Sequence, residues 1–210
     1  MDKFVTIKQI KAAQEIFECL DDWNQARESL DFFFKKYPIN TDPKVVIMKV
    51  CLVDSLYGTN TKGVIGVAKH IADPKLNIDQ HLQSADTNAV MRIANWKRGG
   101  KAINILSFAS KYCHFHNKNK FPIYDKYASA TLQAVLGENH WSKGCRDYIK
   151  YQGQIKRISN GCPMEDIDTF MWLYGIKLAL DKGRRDVNKE VMDLFEKESG
   201  LFKALEKKVK

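Results

Sequence analysis

The amino-acid sequence predicts an all-α fold. Apolar residues recur at three- and four-residue steps through almost every apolar segment, the spacing that lines one face of a helix. Residues that open and close helices punctuate the chain at helix-length intervals. Segments that alternate polar and apolar residues are scarce, and only KFPIYD reads as extended. With 210 residues, 44% hydrophobic and 28% charged, the chain can bury a substantial core, and a single domain over residues 1–210 is expected.

The first 40 residues read as two helices, the second ending with DFFFKK before Pro38. Asp42 followed by Pro43 is an N-cap with proline at the first helical position, opening a helix through about Tyr57 that Gly58 closes. Thr61 is placed to cap the next helix, in which Val64, Val67, Ala68 and Ile71 form an apolar stripe. Asp86 precedes the short amphipathic piece TNAVMRIANW. Ala102 to about His116 reads as a helix, and Asp125 caps another through Leu136. Trp141–Ile158 and Pro163–Leu180 follow, and the last stretch from Asn188 is helical with a bend at Ser199-Gly200.

Several function classes are excluded. No apolar run approaches the roughly 20 residues that span a bilayer. The N-terminal segment MDKFVTIKQIKAAQ has neither the apolar centre nor the small-residue cleavage site of a signal peptide, so a cytoplasmic protein is expected. Five scattered cysteines without a C-x-x-C pair argue against a disulfide framework and a structural zinc site. Cys113, His114 and His116 lie too close together on one helix to converge on a metal, and the glycines of YGTNTKGVIG do not make a phosphate-binding loop. No cofactor or metal is implied.

The net charge is +9, and it is concentrated. Residues 1–61 carry −1, residues 62–126 carry +7 and residues 127–210 carry +3. No acid occurs between Asp86 and Asp125, a gap that holds Arg92, Lys97, Arg98, Lys101, Lys111, Lys118 and Lys120. Such a block is the electrostatic footprint of a phosphate-binding surface, although a solvated face would carry the same charges. DNA is the expected partner.

Within that block, INILSFASKYCHFHNKNKFPIYDKYASATL places Lys111 on a helix, a basic turn after it, and Asp125 at the start of the next helix. A lysine whose amine is neutral can attack an electrophilic carbon, and a carboxylate nearby can stabilise the cation that develops. The same spacing also suits a lysine reaching to solvent from a helix surface and an aspartate that only caps a helix. Trp96, Trp141, Trp172 and Tyr174 sit among aliphatic residues, as core aromatics do, leaving Tyr57 and Phe115 as candidates for base contact.

Taken together, SFASKYCHFH and FPIYDKYA resemble two segments of the helix-hairpin-helix DNA glycosylase superfamily, in particular a divergent bacterial branch similar to the 8-oxoguanine DNA glycosylases. There a helix carries a nucleophilic lysine and an aspartate follows at the start of the next helix, so the resemblance implies Lys111 as nucleophile and Asp125 as its electrostatic partner. VVIMKVCLVDSLYGTNTKGVIGVAKHI resembles the superfamily's early helix, turn and helix, which puts Ser55, Tyr57 and Asn60 at or near its polar and base-wedging positions. MEDIDTFMWLYGIKL matches a D-x-x-x-W pattern through Asp168 and Trp172, implying with Phe115 a substrate pocket. The resemblance spans roughly residues 43–180 as a glycosylase-like core, with residues 1–40 and 185–210 as peripheral helices. The superfamily's usual L-P-G-V-G-x-K turn is replaced by LSFASK, Gly99-Gly100 lies upstream of it, and Tyr57 stands where endonuclease III carries glutamine. The iron–sulfur cysteines of endonuclease III are absent.

The expected function is therefore DNA binding of the base-excision kind, with removal of a damaged or modified base as the activity. Lys97, Arg98, Lys101, Lys118 and Lys120 are the expected phosphate contacts. A non-catalytic nucleic-acid-binding module on the same fold, and an all-α adaptor whose basic block meets an acidic protein, are the alternatives.

Overall fold

The computed structural model describes residues 4–142 and 145–206. Among them are twelve α-helices and one short hairpin, so the chain is mostly helical. In order these are α1 (Ile7–Glu18), α2 (Asp21–Lys36), α3 (Pro43–Tyr57), α4 (Val64–Ile71), a 3-10 turn (Pro74–Leu76), α5 (Ile78–Gln83) and α6 (Asn88–Ala94). The hairpin strands β1 (Asn95–Arg98) and β2 (Lys101–Asn104) lead into α7 (Leu106–His116) and α8 (Lys126–Leu136). Then come α9 (Tyr148–Ser159), α10 (Met164–Leu180), α11 (Lys189–Lys197) and α12 (Ser199–Lys203). The chain divides into two compact units, a middle one of residues 26–124 and a terminal one formed by residues up to 25 and from 125 on.

In the terminal unit, α10 is buried around most of its circumference, with Ile167, Phe170, Leu173 and Ile176 all fully covered. It packs against α1, α8 and α9. Its closest approach is to α8, where a Cβ on Gly175 would run into the backbone carbonyl of Tyr127. Thr131 Oγ1 donates to Met171 O at 2.7 Å in the same seam. Early and late segments of the described residues meet here too: Val5 N donates to Ile158 O at 3.0 Å, and Gln9 Nε2 to Leu205 O at 2.8 Å.

In the middle unit, α3 packs on α4 and α7, and α6 on α5 and α7. Val46, Val50 and Val53 of α3 are fully buried, as are Val67 and Ala68 of the apolar stripe on α4. The polar centre of this unit is Asn40. Its Oδ1 accepts from Lys49 Nζ at 2.8 Å and from Tyr112 OH at 2.6 Å, while its own amide groups donate to Asp79 at 3.0 and 2.6 Å. One side chain in the α2–α3 connection thereby ties α3, α5 and α7 together. Lys49 is fully buried, and burial pulls its pKa down to about 8, an effect that Asp79 partly opposes. His116, whose Nε2 lies 3.5 Å from Lys49 Nζ, is held well below its ordinary pKa by burial and then by the Lys49 charge.

Local signals explain most helix ends. Asp42 accepts from Lys44 N at 2.9 Å and Gly58 closes α3 in the left-handed conformation. Asp125 accepts from the amides of Tyr127 and Ala128 at 2.9 and 2.8 Å, capping α8. Three expectations are corrected. Residues 102–104 are strand rather than helix, because Gly99 and Gly100 both take positive φ (55° and 81°) and make the two-residue turn that pairs Arg98 with Lys101 and Trp96 with Ile103. Thr61 does not cap α4. Gly63 holds that position at φ 91°, and the Thr61 amide donates instead to Asp54 Oδ1 at 2.6 Å. The helix expected from Trp141 begins only at Tyr148, where Asp147 accepts from Lys150 N at 2.9 Å. KFPIYD, read as extended, has no strand partner among the described residues.

Two outcomes follow. Gly175→Ala should lower the stability of the chain by at least about 3 kcal/mol, since neither backbone can yield without parting α8 from α10. Gly153→Ala at an exposed position of α9, where a Cβ meets nothing within 4 Å, should instead add up to about 1 kcal/mol through helix propensity. Urea unfolding of the two variants checks the contrast. The second outcome concerns Lys49. Between about pH 8 and its ordinary 10.5 the unfolded chain holds a proton that the folded chain has released, so stability contributed at this site rises with pH. The cost of burying the charge is fully present below pH 8. The melting temperature of the wild type minus that of Lys49→Met should therefore climb from pH 8 to pH 10. A flat difference would show that burial does not shift this lysine.

Candidate functional site

The site is built on the start of α7 and the two segments packed against it in the middle unit. The hairpin delivers the chain into α7: Ile105 N donates to Ala94 O at 3.1 Å, and Asn104 Oδ1 accepts from Leu106 N at 3.1 Å. One turn into the helix stands Lys111. It is 4% exposed, so it does not reach to solvent from a helix surface, and its Nζ donates to Ser107 Oγ at 2.9 Å. The neighbouring Ser110 Oγ donates to Tyr124 O at 3.2 Å and accepts from Tyr124 N at 2.9 Å, which pins the residue preceding Asp125 to α7.

Ser107 also lines a pocket of about 300 Å³, at the small end of the range for ligand sites. Its apolar wall includes Trp96, Ile103, Leu106 and Phe108, and its polar side includes Asn60, Lys62, Arg98 and Asn104. No carboxylate is among the lining residues. Period-two alternation explains the hairpin's part: Trp96 and Arg98 share a face with Ile103, while Lys97 and Ala102 share the other. Trp96 lies so close over α4 that a Cβ on Gly63 or Gly66 would stand 2.9 Å from its ring. The loop from Thr59 is held by Asp54, whose Oδ1 accepts from Thr59 Oγ1 at 2.5 Å and from the Thr61 amide. Asn60 then projects in the left-handed conformation at φ 53°.

The seven cations of the acid-free stretch thus have different fates. Lys97, Arg98 and Lys101 are exposed on the hairpin, and Arg92 and Lys120 are exposed elsewhere. Lys111 is taken inside. Lys118 is half-buried and paired with Asp31 at 2.5 Å, and burial lowers its pKa against the opposing hydrogen bond of Asp31.

Of the other expected residues, Ser55 is exposed on α3, and Tyr57 is half-buried with its ring 5.3 Å from that of Phe115. Phe115 itself is 7% exposed. Asp125, Asp168 and Trp172 belong to the terminal unit. There Asp168 is buried on α10, and Trp172 stacks on Trp23 with ring centres 4.6 Å apart. Cys113, His114 and His116 go to separate neighbours: burial pushes the Cys113 thiol up, His114 Nδ1 meets Phe121 O at 3.0 Å, and His116 faces Lys49. No group of three metal-ligating side chains occurs among the described residues.

Sequence reasoning missed Lys62, Asn104 and Ser107. The signal that could have found them is the Gly99-Gly100 dipeptide, which between WKR and KAI marks a tight hairpin.

No solved structure matches this chain. An uncharacterized protein of Haemophilus influenzae is 31% identical over 133 residues, which make up 62% of this chain and 66% of that protein, so the match spans just under two thirds of the relative's length. The family HI_0787_N, described as an N-terminal domain, matches residues 6–120. That segment is more than half of the chain and contains the hairpin, Lys111 and every residue of the pocket, while Asp125, Asp168 and Trp172 lie beyond it. The chain belongs to the HI_0787_N family.

Proposed function

We propose that this protein binds DNA through the basic hairpin of its middle unit and removes a damaged or modified base with Lys111 as nucleophile and Asp125 as electrostatic partner. The observation that carries the reading is the environment of Lys111. It is an amine withdrawn from water, hydrogen-bonded to a serine that lines a pocket, and that pocket is rimmed by cations without a carboxylate. A nucleophilic lysine acts through the lone pair of its amine.

The chemistry closes as follows. The target base leaves the duplex stack. The Nζ lone pair forms a bond to C1′ of its sugar while the bond from C1′ to the base breaks, and the base departs with that electron pair and takes up a proton released by the attacking nitrogen. Opening of the sugar ring leaves an imine between Nζ and C1′. The Asp125 carboxylate supplies the negative charge that stabilises the cationic sugar during the exchange.

Two outcomes test the reading. Affinity for duplex DNA should fall with salt at a log–log slope of roughly −3 to −6, as expected for about four to seven phosphate contacts. Reversing Lys97, Arg98 and Lys101 to Glu should flatten that slope and weaken binding to all sequences alike. Fluorescence anisotropy at several salt concentrations measures both, and a wild type that ignores DNA at low salt overturns the reading.

For the chemistry, borohydride should reduce the imine and leave a protein–DNA band on a denaturing gel with the right modified substrate. Lys111→Met, which keeps the buried volume without the amine, should abolish that band and retain DNA binding. Asp125→Asn should retain the α8 cap and slow the reaction. If no substrate in a broad lesion panel is trapped while Lys111→Met melts at a much lower temperature, Lys111 holds α7 in place and the protein binds nucleic acid without acting on it.

A further inference from the structure

We propose that the pocket formed by the loop before α4, the hairpin and the start of α7 seats one unpaired nucleotide, phosphate toward Lys62 and Arg98 and base against the wall of Ile103, Leu106 and Phe108. The inference rests on the proposed function only in taking nucleic acid as the partner. It assigns a ligand to a site distinct from the exposed hairpin face that carries Lys97.

Three features of the pocket select this ligand. The first is charge: Lys62 and Arg98 are both exposed at the pocket and neither has a carboxylate partner among the described residues, so both are available to an anion. A lone phosphate would satisfy them, but the second feature argues for more. About half of the lining is apolar, and at about 300 Å³ the pocket has room beyond an oxyanion for a small ring system, whose removal from water an apolar wall favours. The third is the presence of side-chain amides: Asn60 and Asn104 line the same pocket, and an amide offers both a donor and an acceptor to a base edge. Asn104 already accepts from Leu106 N through Oδ1, leaving its NH2 group as the part directed to a ligand.

Pre-organisation supports the assignment. The strand that carries Arg98 is seated, because Trp96 of β1 packs against Gly63 and Gly66, and Arg98 Nε lies 4.0 Å from the position of a Gly63 Cβ. The loop that carries Asn60 and Lys62 is tied down by Asp54 through both Thr59 and Thr61. A site whose backbone is already placed has less chain to order on binding. A base paired in a duplex cannot enter such a pocket, so the ligand is a free nucleotide or an unpaired nucleotide within a strand.

The experiment uses the full chain and four probes: thymidine 5′-monophosphate, inorganic phosphate, a short oligothymidylate single strand and a fully paired duplex. Calorimetry should show the mononucleotide binding at least tenfold more tightly than inorganic phosphate. Lys62→Glu and Ile103→Trp, one removing a cation and the other filling the pocket, should each weaken mononucleotide binding tenfold or more and leave duplex affinity within about twofold. Lys97→Glu, on the opposite face of the hairpin, should do the reverse. Two single-strand results distinguish the sources. If the two pocket variants weaken the oligonucleotide as they weaken the mononucleotide, the pocket takes a nucleotide within a strand; if they affect only the mononucleotide, it is a free-nucleotide site, and the assignment holds in either case. Equal affinity for phosphate and mononucleotide overturns it, since the apolar wall would then contribute nothing. Duplex binding with no mononucleotide binding overturns it as well while leaving the DNA reading intact. Mononucleotide binding without any DNA binding sinks the DNA reading and leaves the pocket assignment standing.

Discussion

The middle unit is organised around the need to satisfy a buried ammonium group without a carboxylate in direct contact. Lys49 lies wholly inside, and an uncompensated charge there would cost more than the fold could bear. Asn40 answers with its carbonyl oxygen, the backbone oxygen of Ile39 adds a second contact at 3.3 Å, and the rings of Phe34 and Tyr112 present their faces at 5.1 and 6.0 Å. Asn40 in turn depends on Asp79 to orient its amide. The result fixes α7 relative to α3 and α5, and everything that α7 carries, Lys111 and the pocket wall included, is positioned by this network.

Among the described residues three lysines, Lys49, Lys111 and Lys177, are buried to 4% exposure or less, and they are satisfied in different ways. Lys177 donates to the carboxylates of Asp181 and Glu206, each at 2.6 Å. Burial alone would lower its pKa, but those partners outweigh it and hold it above the ordinary value. Lys49 relies on neutral oxygens and sits near pH 8. Lys111 donates to a serine hydroxyl beside a pocket. A carboxylate pair locks a lysine in its charged form. The absence of such a lock among the bonds that hold Lys49 makes it the more responsive of the two to its surroundings.

Much of the helical framework was legible because its signals are local. Asp42-Pro43, Gly58 and Asp125 act within four residues of themselves, so the sequence shows them directly. The hairpin was obscured because four-residue strands are too short to establish a period, and Ala102, Leu106 and Ala109 fall at four- and three-residue steps that also suit a continuing helix. Thr61 looked like a cap because its residue type is right; Asp54, seven residues earlier, claims its amide instead. The burial of Lys111 and the role of Asn40 were beyond reach for another reason. Asn40 bonds to residues 9, 39 and 72 positions away, and contacts at such separations leave no pattern along a chain.

The two-residue turn at Gly99-Gly100 has a consequence for how this family can vary. In a strand the side-chain direction alternates strictly, so the register of the hairpin decides which cations meet the pocket. A one-residue insertion between Trp96 and Lys97 that left the turn and β2 in place would set the added residue opposite Ile103 and carry Trp96 to the other face, while Arg98 stayed paired with Lys101. The indole would leave its seat on the glycines of α4, and the added side chain would face a surface shaped for a flat ring. Length in this segment is therefore under tighter constraint than residue identity, and relatives that preserve the pocket are expected to tolerate exchanges among the exposed cations more readily than a single added or lost residue.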